Sequence, residues 1–290
     1  MSARSRGLST ATLQRIAVMQ PLIRDRQPIS VRGVAYQLFT LKLTPDMSRN
    51  TVAGVSRILT TAREHGYIPW EWIVDDTRTI EQRASWNDPT QFLAAAHAQY
   101  RKDLWEAQPH RVMVVSEKGT VAGLLRPVIQ DYGIAFGVYH GFGSATAVHD
   151  LAELSSNDER PLTLIYVGDH DPSGRYMSDV DLPGRIDRYG GEATIVRVAI
   201  TPEQIDEHGL PTFSAAEKKR DPRHDWFVGT HGEVCCELDA LDPRQLRELV
   251  EREIEDCIDW NIWTQSSATE KAETESILAF LDSWQEMVAS

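Results

Sequence analysis

Between Arg111 and Ile200 the chain alternates short apolar runs with longer stretches of helical periodicity, and this alternation limits the fold more than any other feature. The run Arg111–Val115 is short and nearly all apolar, as a strand buried on both faces must be. A helix is expected from about Val121 to Tyr132, closed by Gly133, then a strand over Ile134–Tyr139 and a helix over Ser144–Leu154. Leu162–Val167 repeats the strand pattern, a helix is expected between Gly174 and Tyr189, and Ala193–Ile200 makes a fourth strand. Strands separated by helices of this length form βαβ units, because parallel neighbours need a long crossover connection. The expectation is an α/β fold with a parallel four-stranded sheet over about residues 109–240.

The segment before it, to about residue 80, follows a different pattern. A helix is expected over Ser9–Gln20, with Leu13, Ile16 and Ala17 on one side and Pro21 closing it. A second should start after the N-cap Ser30 and run to about Leu41. A third spans about Arg49–His65, burying Val52, Val55, Ile58, Leu59 and Ala62, with Gly66 in the left-handed C-terminal position. Trp72-Ile73-Val74 then suits a short strand, so the segment has the makings of a winged-helix-like DNA-binding domain. Residues 81–108 are expected to form a connecting helix with Phe92, Leu93, Ala96, Tyr100 and Leu104 on one stripe. Past Ile200 the pattern weakens to a short helix over Pro202–Gly209, a charged loop over Ala215–Asp225, and acidic helices within 241–290.

Charge bears on the partner. The formal net charge is −13, yet the first seventy residues hold Arg4, Arg6, Arg15, Arg24, Arg26, Arg32, Lys42, Arg49, Arg57 and Arg63 against only Asp25, Asp46 and Glu64. Screening over roughly 8–10 Å lets a local basic patch meet a polyanion before the net charge does. Arg49 and Arg57 on the third helix are the expected DNA-binding residues; the alternative is a solvated arginine-rich surface. No apolar run approaches the roughly 20 residues a membrane span needs, and Met1–Arg6 has no apolar signal core, so a cytoplasmic protein is expected. Cys235, Cys236 and Cys257 have no zinc-ligand spacing.

Loops at the carboxyl ends of parallel strands form the ligand crevice of such a sheet, and two of them are acidic. The first strand ends in Ser116-Glu117-Lys118-Gly119 and the third in Gly168-Asp169-His170-Asp171-Pro172-Ser173-Gly174. In extended chain Asp169 and Asp171 point the same way, and Glu117 joins them if those two strands are neighbours. Crowded carboxylates repel unless a cation lies among them, and an all-oxygen set favours Mg2+ or Mn2+ over zinc. Asp, Pro, Ser and Gly are also common turn formers, so the second loop alone would be weak grounds. His170, on the opposite side of the extended chain, is expected to be structural. His224 and His231 are expected in plain loop.

These two loops and the βα units between them resemble the Toprim domain, most closely that of the topoisomerase VI A subunit and the related meiotic double-strand-break transesterase. His140-Gly-Phe-Gly-Ser-Ala-Thr146, Ile200–Pro211 and Cys236–Asp242 are similar to family segments at the same places, so the resemblance covers about residues 30–260. It implies a sheet with helices on both faces and a divalent metal held by Glu117, Asp169 and Asp171. It also implies a homodimer and, for topoisomerase action, a separate ATPase subunit, since the chain has no phosphate-binding Gly-x-x-x-x-Gly-Lys-Ser/Thr run. The family sets a nucleophilic tyrosine in an Arg-x-x-aromatic-Tyr motif, and Arg32-Gly33-Val34-Ala35-Tyr36 stands at the matching place, with Ala35 where the aromatic belongs. Arg32 and Tyr36 are neighbours at i and i+4. The resemblance makes Tyr36 a candidate nucleophile and Arg32 its activator; the alternative is a packing tyrosine. Lys118 is a candidate phosphate ligand or general acid, or a plain loop lysine.

The expected activity is Mg2+-dependent cleavage of DNA phosphodiesters, by hydrolysis or through Tyr36. The alternatives are a non-catalytic DNA-binding or assembly protein and an RNA-processing nuclease.

Overall fold

The computed structural model of the chain describes residues 8–74, 85–139 and 145–289. It begins with α1 (Thr10–Arg24), where the Ser9 side chain accepts a hydrogen bond from the Thr12 amide at 3.2 Å. Pro21 lies inside this helix instead of closing it. A helix-interior proline costs about 3 kcal/mol, and burial of Leu22 and Ile23 beside Ile16 and Met19 offsets it. β1 (Ile29–Ser30) leads into α2 (Val31–Thr40), whose cap Ser30 accepts from the Gly33 amide at 3.0 Å. α3 (Arg49–Glu64) starts at the cap Ser48 and buries Val55, Leu59 and Ala62. Gly66 follows it with the left-handed φ of 74° that this helix end requires.

β2 (Ile73–Val74) pairs in parallel with β1. The three helices are thus present, but no wing is found among the described residues, which leave out 75–84. The long connecting helix is cut down to α4 (Pro89–Gln99), which buries none of its residues and gives way to extended backbone at Tyr100. Trp105 explains the break: it turns inward to the sheet and its indole N–H donates to the Tyr132 carbonyl at 2.7 Å. Burying a ring of that size outweighs continuing an exposed helix.

The central unit runs β3 (Arg111–Ser116), α5 (Thr120–Tyr132), β4 (Ala135–Val138), α6 (Ala145–Ser156), β5 (Leu162–Val167) and α7 (Pro172–Tyr176). A π-helical turn at Met177–Asp181, α8 (Leu182–Arg188) and β6 (Thr194–Ala199) complete it; α7, the π turn and α8 follow one another without a gap, so the helix expected before β6 is present with a π turn inside it. All four strands are parallel, in the order β4-β3-β5-β6. Alternation along the strands sends Val114, Ile165 and Val167 to one face and Val115, Leu164 and Tyr166 to the other.

Beyond the sheet come α9 (Pro202–His208), β7 (Phe213–Ser214), α10 (His224–His231), β8 (Val234–Cys235), α11 (Pro243–Asp256) and α12 (Trp260–Ala289). The first face is covered by α5, α9 and α11, the second by α6 and α8, so helices lie on both faces. The stretch expected to be a charged loop is a 3-10 turn at Ala215–Lys218 and then α10, tied down by the antiparallel β7–β8 pair. His224 and His231 are therefore helix-end residues. Among the described residues no helix is long and apolar enough to cross a membrane.

Candidate functional site

Strands β3 and β5 are direct neighbours in a register that sets Ser116 beside Val167. Both loops that follow therefore leave the sheet at one level, which brings Glu117 and the Gly168–Gly174 loop together. His170 forms an antiparallel bridge with Cys236, each amide donating to the other's carbonyl at 2.9 Å. Its ring is buried against Phe227 and His231, away from the aspartates, as its place in extended chain predicts. Asp171 is the N-cap of α7 and accepts from the Gly174 amide at 2.7 Å. A Cβ on Gly174 would lie 2.3 Å from the Asp169 carbonyl oxygen, so only glycine allows this close turn.

The His170–Cys236 bridge carries two further acids into the site, Glu237 and Asp239. The Leu238 amide between them donates to Asp169 Oδ1 at 2.7 Å. Lys118 Nζ lies 2.7 Å from Asp169 Oδ1, 3.2 Å from Asp239 Oδ2 and 3.9 Å from Glu237 Oε2. Burial alone would lower the Lys118 pKa, but these carboxylates overcome it and hold the ammonium charged. Lys218, from the 3-10 turn, pairs with Asp171 Oδ2. Lys118 is thus an internal counter-charge in this state.

Helix α2 reaches the same place. Arg32 Nη2 is 2.5 Å from Glu237 Oε2, and Arg32 Nε is 3.4 Å from Asp239 Oδ2. The Arg32 guanidinium carbon lies 5.6 Å from the centre of the Tyr36 ring. Tyr36 is buried in the core of the sheet's first face, with its hydroxyl against Glu237. Burial first, then Glu237, push its phenol above the usual tyrosine range, and Arg32 only partly opposes them. Arg32 and Tyr36 therefore meet the acidic cluster within one chain, with the tyrosine protonated.

Glu117 differs from its neighbours: among the described residues it makes no hydrogen bond and no ion pair. Burial, Asp169 and Asp171 raise its carboxyl to about 7, against opposition from Lys118 and Arg197. Burial also raises Asp169 despite Lys118, and Asp171 adds to that rise. Arg197 supports the loop from below. Its guanidinium donates to the carbonyls of Gly168, Asp169, Gly174, Ala199 and Ile200 at 2.6–3.2 Å. Burial lowers its pKa to about 10.

A metal would find an all-oxygen donor set here, with one carboxylate unpartnered and negative charge in excess of the local cations. The carboxylates are not yet gathered, because Asp169 and Asp171 are each turned to a lysine. Among the described residues, the group with one ligand atom each within 4.8 Å of one another is His149, Asp150 and Glu153 on α6. That trio can hold a metal ion, but all three residues are exposed. Arg49 and Arg57 are exposed along one stripe of α3. The Gly-rich turn after β4, residues 140–144, lies outside the described residues.

Spacing offered no signal for Glu237, Asp239, Lys218 or Arg197, which come from distant parts of the chain and converge through the His170–Cys236 bridge, the β7–β8 pair and the β5–β6 pairing. No protein-family model and no curated protein matches the sequence.

Proposed function

We propose that the chain is a metal-dependent enzyme that hydrolyses nucleic-acid phosphodiesters, DNA foremost, at Glu117, Asp169 and Asp171. The observation that carries this reading is a concentration of carboxylates at the carboxyl edge of a parallel sheet, with Asp169 and Asp171 buried and Glu117 half-buried and unpaired beside them. The Toprim-like sequence pattern supports it, and so does the basic surface of α3. Glu117, Asp169 and Asp171 would hold Mg2+ or Mn2+, and the ion would supply a polarised phosphate oxygen and an acidified water. Lys118 and Lys218 neutralise the aspartates in the meantime. With a cation on those aspartates, Lys218 would be released to pair with a phosphate oxygen, while Lys118 would keep Asp239 and Glu237 beside it. Arg197 keeps the Asp169–Gly174 loop in shape throughout by holding its carbonyls.

A second reading is tyrosine transesterification. It is favoured by one observation, the arrival of Arg32 and Tyr36 at Glu237. Against it stand the burial of Tyr36 and the upward shift of its phenol. A nucleophilic tyrosine needs activation in the other direction.

The test incubates the purified chain with supercoiled plasmid and Mg2+ or Mn2+, comparing wild type, Asp169→Ala and Tyr36→Phe, with and without protease digestion of the products. Hydrolysis predicts that cleavage is lost in Asp169→Ala, retained in Tyr36→Phe, and leaves no protein on the DNA ends. Loss in both variants with protein-linked ends would establish transesterification instead. Failure of wild type to cut either plasmid or a structured RNA under these conditions would refute the enzymatic reading.

A further inference from the structure

Tyr166 is only 1% exposed, and its hydroxyl is a buried polar atom with no hydrogen-bond partner. Leaving a buried hydroxyl unsatisfied costs roughly 1–3 kcal/mol, a cost that phenylalanine of the same shape would avoid. The ring itself is well fixed, with the Arg197 guanidinium 4.9 Å from its centre and the packed second face of the sheet around it. Its hydroxyl therefore points where the fold aims it.

That place follows from the register. Val115 pairs with Tyr166 and Ser116 with Val167, and Glu117 and Gly168 are the residues that follow this last pair. Side chains two apart share a face, which puts Glu117 and Tyr166 on the same side of neighbouring strands, one pleat out of step. Gly168 has no side chain to separate them. A Cβ there would lie 2.7 Å from Tyr166 Cε1 and 2.9 Å from its oxygen, so the phenol fills the space that a side chain at Gly168 would take. After burial, the Glu117 carboxylate is the charge that most raises the Tyr166 phenol, with Asp169 and Asp171 adding less. An orphaned donor thus stands beside a carboxylate that accepts nothing.

We infer that Tyr166 is a positioning residue for Glu117, its hydroxyl donating a hydrogen bond that orients the ionised Glu117 carboxylate as it binds a divalent cation. The inference rests on the reading of the acidic cluster given above. A hydrogen bond of this kind to a carboxylate ligand fixes its rotamer before the cation arrives, and loss of such a partner typically weakens metal affinity about 10–100-fold.

The test measures Mn2+ binding to the full chain by electron paramagnetic resonance of the free ion, with no nucleic acid present. Wild type, Glu117→Gln, Tyr166→Phe and Gly168→Ala are compared. The difference between wild type and Glu117→Gln defines binding at this site, separately from the exposed group on α6. Tyr166→Phe should lose about tenfold or more of that site-specific affinity, while its metal-free urea midpoint stays equal to wild type or rises. Gly168→Ala, which crowds the phenol, should lose affinity in the same way. Tyr166→Phe binding Mn2+ as tightly as wild type would overturn the inference and leave the reading of the cluster intact. A fall in its metal-free midpoint that accounts for the lost affinity would also overturn it, by making Tyr166 a packing residue. Equal binding by wild type and Glu117→Gln would overturn the reading of the cluster itself.

Discussion

With divalent ions chelated, the protein should lose stability as pH rises from 5 to 8, and Glu117→Gln should remove much of that loss. The Glu117 carboxyl stands at about 7 in the fold against an ordinary 4.5. Between those values the folded state holds a proton that the unfolded chain has released. Unfolding therefore releases a proton, and stability falls as pH rises. The contribution is fully present below the unfolded value and lost as pH passes through the folded one. At 1.36 kcal/mol per unit, the whole shift is worth about 3 kcal/mol, of which roughly 2.5 kcal/mol falls between pH 5 and 8. Glutamine keeps the volume and has no proton to lose. Urea unfolding of both proteins in EDTA at several pH values gives the comparison directly. The stability difference should move toward the variant by roughly 2–3 kcal/mol from pH 5 to 8. Saturating Mn2+ at pH 8 should move it back, because a bound cation stabilises the ionised carboxylate and glutamine offers no such charge. Parallel pH profiles in EDTA would refute the reasoning, since they would mean that Glu117 is solvated or already paired.

Other perturbations separate the supporting roles. Arg197→Met leaves the carbonyls of Gly168, Asp169 and Gly174 without their donor, and urea unfolding should show a loss of about 3 kcal/mol or more; a loss under 1 kcal/mol would mean that these carbonyls find other partners. Asp171→Asn keeps an N-cap for α7, because asparagine caps as well as aspartate, so its circular dichroism should match wild type while metal-dependent cleavage disappears; Asp171→Ala should cost about 1 kcal/mol more through the lost cap. Arg49→Glu with Arg57→Glu should weaken DNA binding in a titration over salt concentration and flatten the salt slope by roughly one for each phosphate no longer neutralised. An unchanged slope would take α3 out of the interface.

Alternation of apolar runs and helical periods was enough to specify the parallel α/β core, because strand and helix patterns differ in period and a parallel crossover allows few topologies. Glu117, Asp169 and Asp171 were legible as a group for the same reason, since they follow strands whose carboxyl ends must face one crevice. Pro21 misled because a local penalty of about 3 kcal/mol yields to burial of residues beyond it. The stripe over 81–108 misled because Trp105 gains more from the core than from an exposed helix. What only tertiary structure decided is the charge balance of the site. Lys118 turned to Asp169, Lys218 to Asp171, and Cys236, just ahead of the 237–239 turn, was bridged to His170, which leaves Glu117 alone and the Tyr166 hydroxyl without a partner. None of these pairings is periodic. They arise from the register of β3 on β5 and from one two-residue bridge, and electrostatic energy depends on distances that no spacing in sequence encodes.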